Sequence, residues 1–196
     1  MEVHVLSLWL PIVVSAVVVF VASFLAWSVL PHHKPDLRPL AREQEDQLLG
    51  WVQSADVKPG MYMFPGCADG KQMKDPEFRR RWEAGPWGTL NLLRSKPSFS
   101  RNLICVFVFY LVVGILVAYV GGLGVKAGAS FTDVFQVTGT AAVMAYALGF
   151  IPHGIFFGRS CRSMFFDVVD GVVYGLLTGA VFGWLWPAAE VVAPVV

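Results

Sequence analysis

Charge is nearly missing from the long apolar stretches of this chain, and that shortage decides more than any motif it contains. Asp, Glu, Lys and Arg make up 15% of its 196 residues and hydrophobic residues 56%, whereas soluble domains carry roughly 25% charged residues. Twelve of the fifteen Lys and Arg fall between Lys34 and Arg101. A net charge of +1 excludes bulk electrostatic binding of nucleic acid. Cysteine is scarce as well: Cys67, Cys105 and Cys161 form no CxxC pair, and their odd number excludes a disulfide framework. Cys105 reads as a small buried hydrophobe within an apolar run. Gly121-Gly122-Leu123-Gly124 lacks the GK[ST] ending of a phosphate-binding loop, and no Ser or Cys stands in a nucleophile-elbow context. The expectation is a non-enzymatic chain with no catalytic residue, no cofactor and no metal.

Four apolar runs are what is there, at about residues 8–30, 103–123, 134–151 and 168–186. Each is long enough to cross a bilayer, and such runs are poor candidates for soluble core helices. In the first, Trp9 and Trp27 are eighteen residues apart, about 27 Å along a helix, which suits an interfacial aromatic belt at each membrane face. Glu2, the absence of Lys or Arg before the run, its overlong apolar core and the lack of a small-x-small site read as a retained anchor rather than a cleaved signal peptide. The predicted fold is therefore an all-α integral membrane protein of four transmembrane helices, with a small helical insertion at 31–101 between helices one and two.

Orientation follows from the basic residues. Lys34, Arg38 and Arg42 follow the first run, Arg94, Lys96 and Arg101 precede the second, and Arg159 and Arg162 lie between the third and fourth. By the positive-inside rule the 31–101 segment and the 158–165 turn are cytoplasmic and both termini face outward, in a multi-pass membrane protein; in the bacterial inner membrane that the resemblance given below implies, the termini are periplasmic.

Helix association in lipid relies on close approach at small residues. Gly171, Gly175, Gly179 and Gly183 form a four-rung ladder in the fourth run. Gly114, Ala118 and Gly122 in the second, and Ala141, Ala145 and Gly149 in the third, have the same spacing. These are the predicted helix-packing residues of one bundle, with a contact between two copies through the fourth run as the sharper alternative. The first run, with only Ala22 and Ala26 as small residues at that spacing, is expected at the bundle's edge and open to another protein.

In the insertion, residues 41–54 follow a helical pattern, with Leu48, Trp51, Val52 and Ala55 near one face. Met61–Phe64 is a strand or a stretch lying against the bundle. Asp75-Pro76 announces a second helix with Asp75 as N-cap and Gly85-Pro86 as its stop. On it Phe78 and Trp82 share a side, with Arg79, Arg80 and Arg81 around them. This is a candidate surface for anionic headgroups or a partner; the plainer reading packs Phe78 and Trp82 on the preceding helix.

His32, His33 and His153 fall at the cytoplasmic ends of runs by this topology, so a haem or metal site between helix ends is geometrically conceivable, but no carboxylate or Cys completes a ligand set at metal spacing. Asp167 and Asp170 read as residues opening the fourth helix, favoured by capping and its dipole and paired with Arg159 and Arg162. Asp133 reads the same way for the third. The only polar residues for a pathway are Gln136, Thr138, Thr140, Tyr146 and Thr178.

Several stretches are similar together to a group of uncharacterised bacterial four-span inner-membrane proteins: LPHHKPDLRPL (30–40), GMYMFPGCAD (60–69), PEFRRRWEAGPWG (76–88), VTGTAAVMAYALGFIP (137–152) and DGVVYGLLTGAVFGWLWP (170–187). The resemblance implies a bacterial setting and a single membrane domain, and carries no activity, cofactor or site. The leading functional expectation is an accessory or assembly component of a membrane complex, with the lipid bilayer and another membrane protein or a second copy as partners. A small oligomeric transporter or channel is the alternative, and a haem-binding redox subunit a third reading.

Overall fold

A computed structural model describes residues 3–189. The chain is an all-α, four-span membrane protein. Its candidate spans are Val5–Val29, Phe99–Gly124, Phe131–Phe156 and Cys161–Trp184. Only 28–39% of the most apolar window of each is buried within the protein. Ile104 (64% exposed) and Leu116 (58% exposed) point away from the bundle, and a surface of that kind belongs in hydrocarbon rather than in water.

The first span consists of a short 3-10 turn, α1 (Trp9–Phe24) and a π turn over Leu25–Val29. A 3-10 segment, Pro31–Asp36, follows directly. Next come α2 (Arg42–Ser54), β1 (Gly60–Phe64), α3 (Pro76–Ala84) and β2 (Gly88–Leu92). The second span is α4 (Phe99–Gly124). The third runs from α5 (Phe131–Val143) through a π turn at Met144–Leu148 into α6 (Ile151–Phe156), and the fourth is α7 (Cys161–Trp184). Two compact units result: the bundle, holding described residues 3–37, 99–154 and 159–189, and a smaller unit of 38–98 with 155–158. The segment 31–37, expected in the insertion, thus belongs to the bundle, because its histidines and Asp36 bond to α7.

Within the bundle, α1 packs on α4 and α7, and α5 packs on the same two helices. The glycine ladder of α7 is an intramolecular seam. A Cβ on Gly171 would lie 2.6 Å from the Ala147 Cα, and one on Gly179 would lie 2.7 Å from the Gly139 Cα. Gly175 meets Val143 and Gly183 meets Phe131. From Gly171 to Gly179 each four-residue step along α7 is matched by a four-residue step back along the third span, so the two backbones approach in register there, and Gly183 accommodates the Phe131 ring. In α4, Gly114 lies against Ile12 and Gly122 against the Val3 carbonyl, while Ala118 is fully buried.

Three packing expectations are corrected. The first span is not a loosely held edge: Leu8, Ile12, Ser15, Ala16 and Val19 are all buried. In the third span the packing stripe is Gly139, Val143 and Ala147, not Ala141, Ala145 and Gly149. A two-residue offset turns a helical position about 200° around the axis. Ala141 still packs on the core, but Ala145 is exposed and a Cβ on Gly149 would meet nothing within 4 Å. Cys105, expected in the core, is also exposed, on the outer side of α4.

The bundle's centre is tightly packed. Val134, Thr138, Ala142, Thr178 and Phe182 are fully buried. Thr138 donates to the Val134 carbonyl at 2.7 Å and Thr178 to the Tyr174 carbonyl at 2.9 Å, so both hydroxyl protons are used within their own helices, while the Thr178 oxygen also bonds with Tyr146. At the start of α5, Ser130 accepts from the Asp133 amide and donates to its carboxylate at 2.7 Å, which makes Ser130 the cap and Asp133 its partner.

The smaller unit contains an antiparallel pair, β1 with β2, in which Tyr62 faces Leu90. In β2, Leu90 and Leu92 are half-buried while Thr89 and Asn91 are exposed, a strand alternation the sequence reading does not use. Asp75 caps α3 by accepting from the Glu77 amide, Pro76 occupies the first turn, and Gly85 ends the helix at φ 64°. With this cap removed, α3 loses about 1 kcal/mol. Asp75→Ala is therefore expected to speed amide exchange at Glu77–Arg79, and to leave α4–α7 unchanged.

Candidate functional site

The one dense group of ionisable side chains among the described bundle residues gathers where the first span ends and the fourth begins. The local sequence explains its first half. Pro31 opens the 3-10 segment and Pro35 lies within it; the fixed φ of proline suits these tight turns. The three-residue repeat of a 3-10 turn puts His33 and Asp36 on one side, and His33 Nδ1 lies 2.7 Å from Asp36 Oδ2. Trp27, carried by the π turn, stacks on the His33 ring at 3.9 Å with 5° between planes. His33 is 5% exposed.

The second half comes from α7. Ser160, not an aspartate, caps this helix by accepting from the Ser163 amide. Asp167 and Asp170 lie two to three turns inside it, so the expectation that they open the helix is corrected: they are side chains of the cluster, too far along for the free amides of the first turn. Asp170 takes His33 Nε2 at 2.9 Å on Oδ2, and His32 Nε2 at 3.2 Å on Oδ1. The Tyr174 hydroxyl donates to Oδ2 at 3.5 Å. Arg159 pairs with Asp167 at 2.7 Å and also donates to Ser163. Arg162 reaches back to Asp36 at 3.1 Å and to the His32 carbonyl at 2.7 Å, with its guanidinium 4.8 Å over the Phe166 ring.

Burial is the largest single influence on His33 and pulls its pKa down, but bonding and charge from Asp36 and Asp170 outweigh it and leave the pKa above the usual 6.5. Asp36 is held below the usual carboxylate value of 3.8, first by its bond from His33 and also by the charges of His33 and Arg162, against a smaller burial effect. The site thus favours positive charge on His33 and negative charge on Asp36 together. A cavity of about 220 Å³ adjoins Asp170 and Asp167 and is bounded by Trp27, Tyr110, Tyr146 and Tyr174. Tyr146 is carried by the second π turn, and such wide turns recur at functional sites.

The expected absence of a carboxylate beside the histidines is therefore corrected: His32, His33 and Asp170 bring three ligand atoms within 4.8 Å of one another. His153 is exposed on α6 and is not a member of that group. The His33–Asp36 spacing was a readable local signal. Asp170 had none, because 137 residues separate it from His33.

In the smaller unit, Phe78 and Trp82 are in ring contact at 5.9 Å and turn towards β1 rather than α2. With Met61, Met63 and Met73 they line an apolar groove of about 520 Å³, which Arg79 also borders. Arg80 and Arg81 line a separate hollow with Phe64 and Pro65. Trp82 is 46% and Trp87 61% exposed. On α2, Leu48 and Val52 are half-buried while Trp51 and Ala55 are exposed.

Comparison of the chain with family models, with curated proteins and with solved structures finds no match.

Proposed function

We propose that this protein is a non-enzymatic accessory or assembly component of a larger complex in a bacterial inner membrane, with both termini periplasmic and residues 38–98 in the cytoplasm. The observation that carries the reading is the apolar groove of the smaller unit, flanked by half-exposed aromatic and methionine side chains. An apolar concavity of this size on a small polar unit marks a surface that something covers, and methionine-rich walls adapt to a partner's shape. Another membrane protein is the occupant proposed, with Arg79 at the groove's border as a cationic contact.

The alternative of a small transporter or channel requires a polar path through the bundle. Support for it is weak, because Thr138 and Thr178 at the centre are fully buried and bonded within their own helices. An unaltered flux in Asp170→Asn is expected, and loss of a solute flux in that variant would favour transport.

The accessory reading is tested with Phe78→Ala combined with Trp82→Ala. Reduced recovery of a co-purifying membrane protein, with the chain still in the membrane fraction, is the expected result. Unchanged partner recovery and unchanged membrane residence would remove the groove from the account.

A further inference from the structure

The cluster at the end of the first span turns two imidazole rings onto one carboxylate. Both ring nitrogens of His33 face carboxylates, Nδ1 on Asp36 at 2.7 Å and Nε2 on Asp170 at 2.9 Å. A neutral imidazole carries one N–H. With Nδ1 donating to Asp36, Nε2 meets the Asp170 oxygen either as the second N–H of a protonated ring or, on a neutral ring, as a lone pair that only a cation between them can reconcile with the carboxylate. His32 Nε2 converges on the same carboxylate. The fixed charges point the same way. Arg159 is engaged with Asp167 and Arg162 with Asp36, leaving Asp170 as the one carboxylate of the three that has no guanidinium partner in this cluster. Its side chain is 13% exposed, and those of His32 and His33 are 16% and 2% exposed. A negative charge so placed needs a positive one beside it.

We propose that His32, His33 and Asp170 bind a divalent first-row transition-metal ion of the Zn²⁺ type. Two imidazole nitrogens and one carboxylate oxygen form a borderline donor set that suits such ions and not Ca²⁺ or Mg²⁺, which take oxygen ligands. A tetrahedral ion with bonds of about 2.0–2.1 Å sets its ligand atoms about 3.3 Å apart. Asp170 Oδ2 lies 3.3 Å from His32 Nε2 and 2.9 Å from His33 Nε2, and the three ligand atoms lie within 4.8 Å of one another, so a bound ion requires the two rings to draw together. The surroundings fit. A metal-bound histidine commonly donates its other N–H to a carboxylate, which fixes tautomer and ring orientation, and Asp36 is placed to accept that bond from His33. Trp27 stacked on the ring holds its plane. Three protein ligands leave a fourth position, and the cavity beside Asp170 has room for a water there.

The test uses the full chain without a polyhistidine tag, purified in mild detergent, stripped with chelator and titrated with Co²⁺, then with Zn²⁺ as competitor. The expected result is one Co²⁺ per chain with the visible absorption of a tetrahedral site, displaced by one Zn²⁺. His33→Ala and Asp170→Ala are expected to weaken binding by 100-fold or more. Asp36→Asn, acting through the orientation of His33, is expected to weaken it 10–100-fold. His153→Ala is expected to bind as the parent does. His32→Gln keeps a polar group beside Asp170 without an imidazole, and carries the test if the more buried variants do not fold. A parent chain that takes up neither ion stoichiometrically, or a His32→Gln chain that binds as tightly as the parent, overturns the proposal and leaves the cluster as a proton-balanced ion-pair network.

Discussion

Asp170→Ala is expected to cost the bundle about 3–5 kcal/mol, the range for removing one partner of a buried ion pair and leaving the other uncompensated. The size follows from what Asp170 holds. Its carboxylate is the common acceptor for His32 and His33 from the end of the first span and for Tyr174 from its own helix, so its removal unties the 3-10 segment from α7 and strands a histidine ring that is almost fully buried. Asp170→Asn keeps the volume and one acceptor oxygen and is expected to lose clearly less. Unfolding of the detergent-solubilised chain by a graded denaturing detergent, followed by helical circular dichroism, reads both. An Asp170→Ala chain as stable as the parent would show that α7 and the first span are joined by apolar packing alone.

Gly179→Leu carries the second large effect. Its Cβ would lie 2.7 Å from the Gly139 Cα and 3.0 Å from the Gly139 nitrogen. Those are backbone atoms that cannot rotate away, so α5 and α7 must separate along their whole register. Overpacking typically costs 1–3 kcal/mol, and this site belongs at about the upper end because the displaced wall is a helix rather than a side chain. Gly149→Ala is the matched control. It lies on the neighbouring third span, in right-handed backbone conformation just after the π turn, with open space at its Cβ, and a Gly→Ala exchange there is expected to be neutral or stabilising by up to about 1 kcal/mol. Equal losses from Gly179→Leu and Gly149→Ala would contradict the seam.

These predictions separate what could be read from residues from what could not. The four spans were legible because hydrocarbon solvation is a property of composition over some twenty residues and needs no partner. The α7 ladder was legible for a related reason: four glycines at one spacing leave little choice of face. The third span was not, since Thr138–Gly149 contains small residues on several sides, and only the register against α7 selects Gly139 and Ala147 over Ala145 and Gly149. The cap of α3 was legible because Asp75, Pro76 and Gly85 act locally. Asp170 was misplaced because the start of α7 was read from hydropathy. The helix begins at Cys161, under a Ser160 cap and before the apolar stretch, which moves both aspartates from the terminus into the interior of a turn sequence. β2 went unseen because its alternation of Thr89 and Asn91 with Leu90 and Leu92 spans only five residues, too short to stand out beside the adjacent apolar span.

The bundle and the smaller unit are built for different contacts. The bundle is closed by van der Waals contact at glycines and tied at one end by charge, which gives it a rigid cation-seeking corner. The smaller unit leaves aromatic and methionine side chains half exposed around a groove, which gives it a surface to offer. A protein that holds an ion at a fixed site and presents an adaptable apolar surface is suited to act within an assembly.

Native mass spectrometry of the chain released from its own membrane in mild detergent tests that claim most directly. The account predicts a species heavier than the 21.5 kDa chain by the mass of a second, different polypeptide, with that mass lost when Phe78 and Trp82 are both alanine. A monomer or a homo-oligomer alone, unchanged by those substitutions, would contradict it.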